Sequence, residues 1–178
     1  PGFGFSMIRN GSAFFSISEH LDTLKKFIEW KKLQSFILVG HSMGGWLAAK
    51  HAARCPNHIE RLLLINTAGV YYIGAEDLRR MFDITTAGDV GKLLDAMWYR
   101  SPWYFKPMRR AIRNDLLKRH VPEFVYSIET EDFLIEELYK LTMPFTLTWG
   151  MEDKLLSSET IEALRKKIPT VKFRCIEQ

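Results

Sequence analysis

The sequence predicts an α/β fold: a mostly parallel sheet with helices on both faces, interrupted by a helical insertion. Three observations predict it. Phe36-Ile37-Leu38-Val39 and Arg61-Leu62-Leu63-Leu64-Ile65-Asn66 contain short apolar runs, the mark of strands buried on both sides in a parallel sheet. Segments of helical periodicity alternate with these runs. After Gly74 the pattern changes to short amphipathic pieces, and strand character returns only at Phe145.

In order, Glu19–Leu33 places Leu21, Leu24, Phe27, Ile28 and Lys31 on a helical period, with Ser16 or Ser18 as N-cap. The strand Phe36–Val39 is stopped by Gly40. An Ala-rich helix, Met43–Arg54, ends at Cys55-Pro56, and the strand Arg61–Asn66 follows. The insertion is broken into pieces at Gly88, Gly91, Pro102, Pro107 and Pro122. Phe145–Trp149 reads as a strand, and Ser158–Ile168 as a helix with Ile161, Leu164 and Ile168 on one face. Acidic Glu159 and Glu162 start that helix and Lys166 and Lys167 end it, which complements its dipole. Val171–Ile176 is the last strand. The division is a core part at 1–70, an inserted cap at 71–141 and a second core part at 142–178. Right-handed crossovers would place helices on both faces, and chemistry belongs at the carboxyl ends of the strands, after Val39, Asn66 and Trp149.

Composition excludes several classes. The 178 residues are 47% hydrophobic, so a packed core is available and collagen-like or disordered chains are excluded. The longest charge-free stretches, Ser35–Ala49 and Leu62–Ala75, are too short and too interrupted to span a bilayer. Cys55 and Cys175 match neither a zinc spacing nor a disulfide framework, and they leave the redox compartment open. The first residues carry no readable targeting signal. Net charge is +4, concentrated in Arg100–Arg119, where seven basic residues accompany one acid, Asp115. That basic stretch is short and the remainder is acidic on balance, so nucleic acid is not an expected partner.

The chemistry is carried by Gly40-His41-Ser42-Met43-Gly44-Gly45, which fits G-x-S-x-G between a buried strand and a helix. A Ser at the tip of such a turn projects its hydroxyl clear of the backbone. Gly40 and Gly44 leave room for the turn, His41 is the variable residue and supports it, and the Met43 amide would face the oxyanion formed when Ser42 attacks. The competing reading, a phosphate-binding turn, lacks both the G-x-G-x-x-G spacing and Gly-Lys-Ser/Thr.

This motif, with Pro1-Gly2-Phe3-Gly4-Phe5-Ser6 ahead of it and Trp149-Gly150-Met151-Glu152-Asp153 behind, resembles the α/β-hydrolase superfamily. It is most similar to the branch of monoacylglycerol lipase-like esterases and ring-cleavage-product hydrolases. The resemblance implies Ser42 as nucleophile and Asp153 as the acid that orients a histidine. It implies no metal and no organic cofactor. Relatives that carry the acid one strand earlier differ here, since that strand ends in Asn66-Thr67. The order Ser, acid, His calls for a histidine after Asp153, yet His20, His41, His51, His58 and His120 all precede it. The expectation is an internal fragment that lacks the base and the second oxyanion donor. His20, His51 and His58 are expected at the surface or an interface.

The resemblance makes the insertion a lid that shapes the acyl pocket. Trp98, Trp103, Tyr104 and Phe105, in a cluster that also holds Tyr99, are the candidate pocket residues. Met108, Ile112 and Leu116 follow at helical spacing, with Arg109, Arg110 and Arg113 mostly on other faces. A basic amphipathic helix beside Trp and Tyr suits a membrane surface, and a cap helix with its charges in water is the plainer reading. The expected partner is a small-molecule or lipid ester, with peripheral membrane contact through the basic cap segment. Hydrolysis of a carbon–carbon bond in a ring-cleavage product is the enzymatic alternative. A non-catalytic interaction protein of the same fold is the alternative from another class, and an intact elbow with Asp153 argues against it.

Overall fold

The computed structural model describes residue 6 and residues 16–70, 75–156, 159–169 and 171–177. The expectations that fall on residues 1–5, 71–74 and 158 lie outside that set. In chain order the elements are helix α1 (Ile17–Trp30), strand β1 (Phe36–His41), helix α2 (Met43–Arg54) and strand β2 (Ile59–Ile65). Helices α3 (Ala75–Met81), α4 (Ala87–Met97), α5 (Phe105–Lys118), α6 (Val121–Tyr126) and α7 (Ile135–Tyr139) follow. Strand β3 (Phe145–Gly150), helix α8 (Glu159–Lys167) and strand β4 (Lys172–Ile176) complete the order.

Of the two cap candidates for α1, Ser16 is the one used. Its hydroxyl accepts from the Glu19 N–H at 3.3 Å while its own N–H donates to the Glu19 carboxylate at 2.7 Å. This reciprocal box satisfies two donors that the helix leaves orphaned, worth about 1 kcal/mol. The helix stops at Trp30 rather than Leu33, because Lys32 turns into the left-handed region at φ +51°.

The four strands are parallel in the order β1-β2-β3-β4. β1 does not end at Gly40 as its apolar run suggests: Gly40 and His41 pair with Leu64 and Ile65 of β2, and that ladder carries β1 to the edge of the active turn. Alternation along the strands places Leu62 and Leu64 on the same face as Leu147 and Trp149. These four residues are 0–2% exposed and pack in one cluster with Trp46, Ala48, Ala49 and Ala52 of α2 and Ile161, Leu164 and Ile168 of α8 or its end. Burial of each large apolar side chain contributes about 1.5–3 kcal/mol, so this face supplies the main stabilisation of the core. On the opposite face Ile37, Val39 and Ile176 are more than half exposed.

The insertion breaks at Pro102, between α4 and α5, but not at its other expected Gly and Pro residues. Gly88 and Gly91 lie inside α4, and Pro107 and Pro122 lie in the first turns of α5 and α6, where the missing N–H had no helical acceptor to lose. The Arg109 guanidinium carbon lies 2.6 Å from where a Cβ on Gly91 would stand. Arg113 donates from Nε to the Thr85 carbonyl at 2.8 Å. Of the three arginines expected at a membrane surface, Arg113 is thus engaged inside the insertion. Ile84, Val90, Leu93 and Leu94 form its own small core, against which Phe105, Ile112, Leu116 and Leu155 pack.

Helix α2 holds the return limb of the insertion. Trp46 donates from its indole to the Asp132 carbonyl at 2.7 Å and stacks on Phe133, 6.0 Å between centroids at 12°. Lys50, 2% exposed, donates to the Glu131 carbonyl at 3.1 Å and pairs with the Glu137 carboxylate at 2.9 Å. The Leu134 N–H donates to the Gly69 carbonyl at 2.7 Å.

His20 and His51, expected at the surface or an interface, are 6% and 5% exposed. Packing between α1, α2 and α6 covers His20, which meets Phe124 edge-on at 6.0 Å. Burial holds both imidazoles below their ordinary pKa, aided for His51 by Lys25, Arg54 and His58. The fold thus binds their neutral forms better than the unfolded chain does, so the stability they confer is present above pH 6.5 and falls as the pH drops through their folded values. Urea denaturation is expected to show stability declining below about pH 6.5, with a shallower decline in His20→Gln. Glu137→Ala leaves the Lys50 ammonium buried without its carboxylate and is expected to cost about 3 kcal/mol, of which Lys50→Met in the same chain recovers most. Equal losses in the single and double variants would contradict this account of the pair.

Candidate active site

Ser42 stands between β1 and α2 at φ +52°, ψ −125°, a conformation that a non-glycine residue adopts only under constraint. The constraint comes from backbone bonds. The Ser42 N–H donates to the Ile65 carbonyl at 3.0 Å, and the Ser42 carbonyl accepts from Gly45 at 2.9 Å, Trp46 at 3.2 Å and Ala68 at 3.1 Å. Gly40 is required by closeness of approach, since a Cβ there would lie 2.6 Å from the Gly45 Cα, whereas Gly44, expected to share that role, has open space at its Cβ position and Gly45 is the tight one, 2.7 Å from the Thr67 hydroxyl. His41, at the end of β1, is exposed, as is Gly44, while Ser42 and Met43 are half-buried. Met43 opens α2, and its N–H has no acceptor among the described residues. A helix N-terminus with an open amide attracts negative charge.

Asp153 follows β3, in the loop that returns toward α8. Its Oδ1 accepts from the Leu155 N–H at 2.9 Å and the Leu156 N–H at 2.8 Å. Its Oδ2 accepts a short hydrogen bond from Asn66 Nδ2. The loop is pinned from the core side by Trp149, whose buried indole donates to the Leu156 carbonyl at 2.9 Å. Leu155, beside the carboxylate, packs on the small core of the insertion, so the acid loop touches both units.

Asn66 was not among the residues singled out from the sequence. It sits one residue past β2 at φ +40°, in a region that Asn tolerates better than most residues. Its N–H extends the ladder to Thr148 at 2.9 Å, its Oδ1 accepts from the Gly150 N–H at 3.2 Å, and its Nδ2 holds Asp153. The sequence signal was an Asn in place of a carboxylate at a strand's carboxyl end; its partner is visible only once β2 and β3 are paired.

A cleft of ≈ 390 Å³ opens at this edge of the sheet, where His41, Asn66, Gly150, Asp153 and Ile176 meet Met97 and Tyr99 of the insertion. Of the aromatic residues expected in a pocket, none lines it. Trp98, Trp103 and Tyr104 are 46%, 79% and 49% exposed, and Phe105 packs on the small core of the insertion. Met97 and Tyr99 take the lining position because α4 ends at Met97 and aims the next turn at the cleft.

The histidines stand apart from the serine. Among the described residues none hydrogen-bonds to Ser42 or Asp153. His58 donates from Nδ1 to the Gln34 carbonyl at 3.0 Å, and His120 lies 3.4 Å from the Glu123 carboxylate. His20 and His51 are buried within the helical layer, and His41 reaches the cleft from the strand end. No group of three or more His, Cys, Asp or Glu residues among the described ones is placed to hold a metal ion.

Comparison with known proteins agrees with this fold. Lipase 1 of Psychrobacter immobilis is 26% identical over 190 residues, which cover 99% of this chain and 59% of the lipase. Monoacylglycerol lipase abhd6-B of Xenopus laevis is 28% identical over 178 residues, 88% of this chain and 52% of the relative. The chain therefore spans between about half and three-fifths of the length of these relatives. The crystal structure of a membrane phospholipase A, described as a bacterial virulence factor, superposes with a TM-score of 0.78 at 27% identity, over 99% of this chain and 60% of that one. A family model described as the alpha/beta hydrolase fold matches residues 1–140. With that match and the strand-turn-helix at Ser42, the chain belongs to the alpha/beta hydrolase family.

Proposed function

We propose that this chain supplies the nucleophile and the acid of a serine hydrolase that cleaves carboxylic esters of apolar, lipid-like substrates through an acyl-enzyme. The observation that carries the reading is the left-handed Ser42 at the mouth of α2, on the same sheet edge as an Asp153 held by three N–H donors. Such a turn has no structural need of a serine, whereas a nucleophile needs its hydroxyl free of the backbone. The Ser42 oxygen attacks the ester carbonyl, and the Met43 N–H receives the oxyanion. A histidine takes the serine proton and hands it to the leaving alkoxide, and Asp153 orients that histidine and stabilises its imidazolium. We assign the base to a histidine outside these 178 residues, on the positions of the five within them.

The helices between β2 and β3 act as the cap in this proposal. Lipases and a monoacylglycerol lipase among the relatives support a lipid-like ester as the substrate class. The outward Trp98, Trp103 and Tyr104 support contact of the cap with a lipid–water interface, a setting that suits Trp and Tyr. Arg113 does not add to that contact, because the insertion itself engages it.

The full-length protein encoded by the gene is expected to hydrolyse p-nitrophenyl butyrate and to label with a fluorophosphonate at Ser42. Ser42→Ala is expected to abolish labelling and to lower kcat by about 10⁴-fold or more. The 178-residue chain alone is expected to show no turnover above background, and rapid hydrolysis by it would place the base among its own histidines. Asn66→Leu frees the Oδ2 side of Asp153 and is expected to lower kcat about 10²-fold with little change in KM. Asn66→Asp sets a second carboxylate against Asp153; since two adjacent carboxylates resist ionising together, the acid limb of the rate profile is expected to move to higher pH. An unmoved profile would remove Asn66 from the site.

A further inference from the structure

The serine turn and the return limb of the insertion are joined by a closed ring of hydrogen bonds. The Ser42 carbonyl accepts from the N–H groups of Trp46 at 3.2 Å and Ala68 at 3.1 Å. The limb holds both of those segments in turn. The Trp46 indole donates to the Asp132 carbonyl at 2.7 Å, and the carbonyl of Gly69, next to Ala68, accepts from the Leu134 N–H at 2.7 Å. Residues 132–134 therefore close a ring whose other vertex is the Ser42 carbonyl. Side chains leave it little freedom. Trp46 is 3% exposed, stacks on Phe133 and lies against Gly69, where a Cβ would stand 2.4 Å from its ring. Gly69 is at φ +83°, which glycine adopts at low cost, so the loop can pass hard against the indole. Lys50, a turn further along α2, already anchors the limb through Glu131 and Glu137. Anchoring alone thus leaves unexplained why the limb's other bonds converge on the two segments that fix the Ser42 carbonyl.

We infer that Trp46 is a positioning residue for the oxyanion donor, clamped by residues 132–134, so that the seating of the insertion sets how the Met43 N–H is aimed. The inference rests on the reading of Ser42 as nucleophile. Its physical basis is the peptide plane: the Ser42 carbonyl and the Met43 N–H belong to one rigid unit and point in opposite directions, so whatever fixes the carbonyl aims the amide. Ser42 at φ +52° keeps its strained conformation only while its surroundings over-determine it. A limb that shifts takes Trp46 and the Gly69 loop with it, loosens both bonds to the Ser42 carbonyl and lets that plane rotate. The Met43 N–H then swings away from the developing charge, and a displacement of about 1 Å at a reacting centre costs on the order of 10²-fold in rate. Trp46 touches no reacting atom in this account and acts through the Ser42–Met43 peptide.

The test uses the full-length protein and follows the second-order rate of Ser42 labelling by a fluorophosphonate, with kcat and KM for p-nitrophenyl butyrate and the urea midpoint measured alongside. Trp46→Phe keeps an aromatic ring and removes the indole N–H, and Phe133→Leu removes the stack from the limb side. Each is expected to slow labelling and lower kcat about tenfold with KM unchanged, because a donor aimed at the oxyanion acts in the transition state only. Phe133→Tyr, which keeps the stack, is expected to label as the parent does. Leu21→Ala, a buried deletion in α1, supplies a loss of urea stability without touching the ring and is expected to leave the labelling rate of the folded protein unchanged. The inference is overturned if folded Trp46→Phe and Phe133→Leu label as fast as the parent, if they slow no more than Leu21→Ala does, or if Phe133→Tyr slows as much as Phe133→Leu. A parent that does not label overturns the hydrolase reading and this inference with it, whereas a labelling parent with unaffected variants overturns this inference alone.

Discussion

The joint between Ser42 and the end of β2 is the constraint on which the rest of the structure depends. A serine at φ +52° is held there because its N–H is tied to Ile65, on a strand already locked into the sheet, and its carbonyl to Ala68 in the loop that follows. The backbone strain costs of order 1–3 kcal/mol, and the bonds to the neighbouring strand offset it only if the parallel register is in place. Sheet pairing is thus a precondition for the geometry of the serine. The same pairing brings Asn66 to Gly150 and Asp153, so one register aligns two functional side chains from segments nearly ninety positions apart.

Helix α2 serves two units at once. Its start carries the open Met43 amide, its Ala-rich face packs on the sheet, and Trp46 and Lys50 reach the return limb of the insertion. Burying Lys50 is tolerable because a carboxylate and a carbonyl receive its protons, and it fixes where that limb sits. The limb is therefore anchored to the helix that follows Ser42, while α4 and α5 pack chiefly on one another through a separate core. Leu155 is the link between that separate core and Asp153.

The basic balance of the chain divides into different physical roles. Arg113 is consumed within the insertion, and Arg119 pairs with Asp115 at 2.7 Å. At the far end of the sheet, Lys32 and Arg54 border a cavity beside a buried imidazole. A count of charges along the chain cannot separate these cases, because Coulomb energy depends on what each cation faces and how dry the place is.

Local chemistry was legible in the sequence wherever it is set by neighbours along the chain. The Ser16 box, the strand-turn-helix at Ser42 and the stripe of α8 all follow from residue types a few positions apart, while Asp153 after Trp149 was pointed out by the family resemblance. Helix boundaries in the insertion were not legible, because Pro107 and Pro122 are harmless in first turns and Gly91 answers to Arg109 on another helix. The lining of the cleft was missed for a similar reason. Aromatic character nominated Trp98, Trp103, Tyr104 and Phe105, but the angle at which α4 meets the sheet decides which side chains face it, and those are Met97 and Tyr99. Asn66 shows the limit most plainly. By itself the sequence determined that a serine would stand at a strained turn and that an acid would follow a later strand. Only the tertiary structure decided what holds that acid, because a hydrogen bond between adjacent strands exists only once their register is fixed.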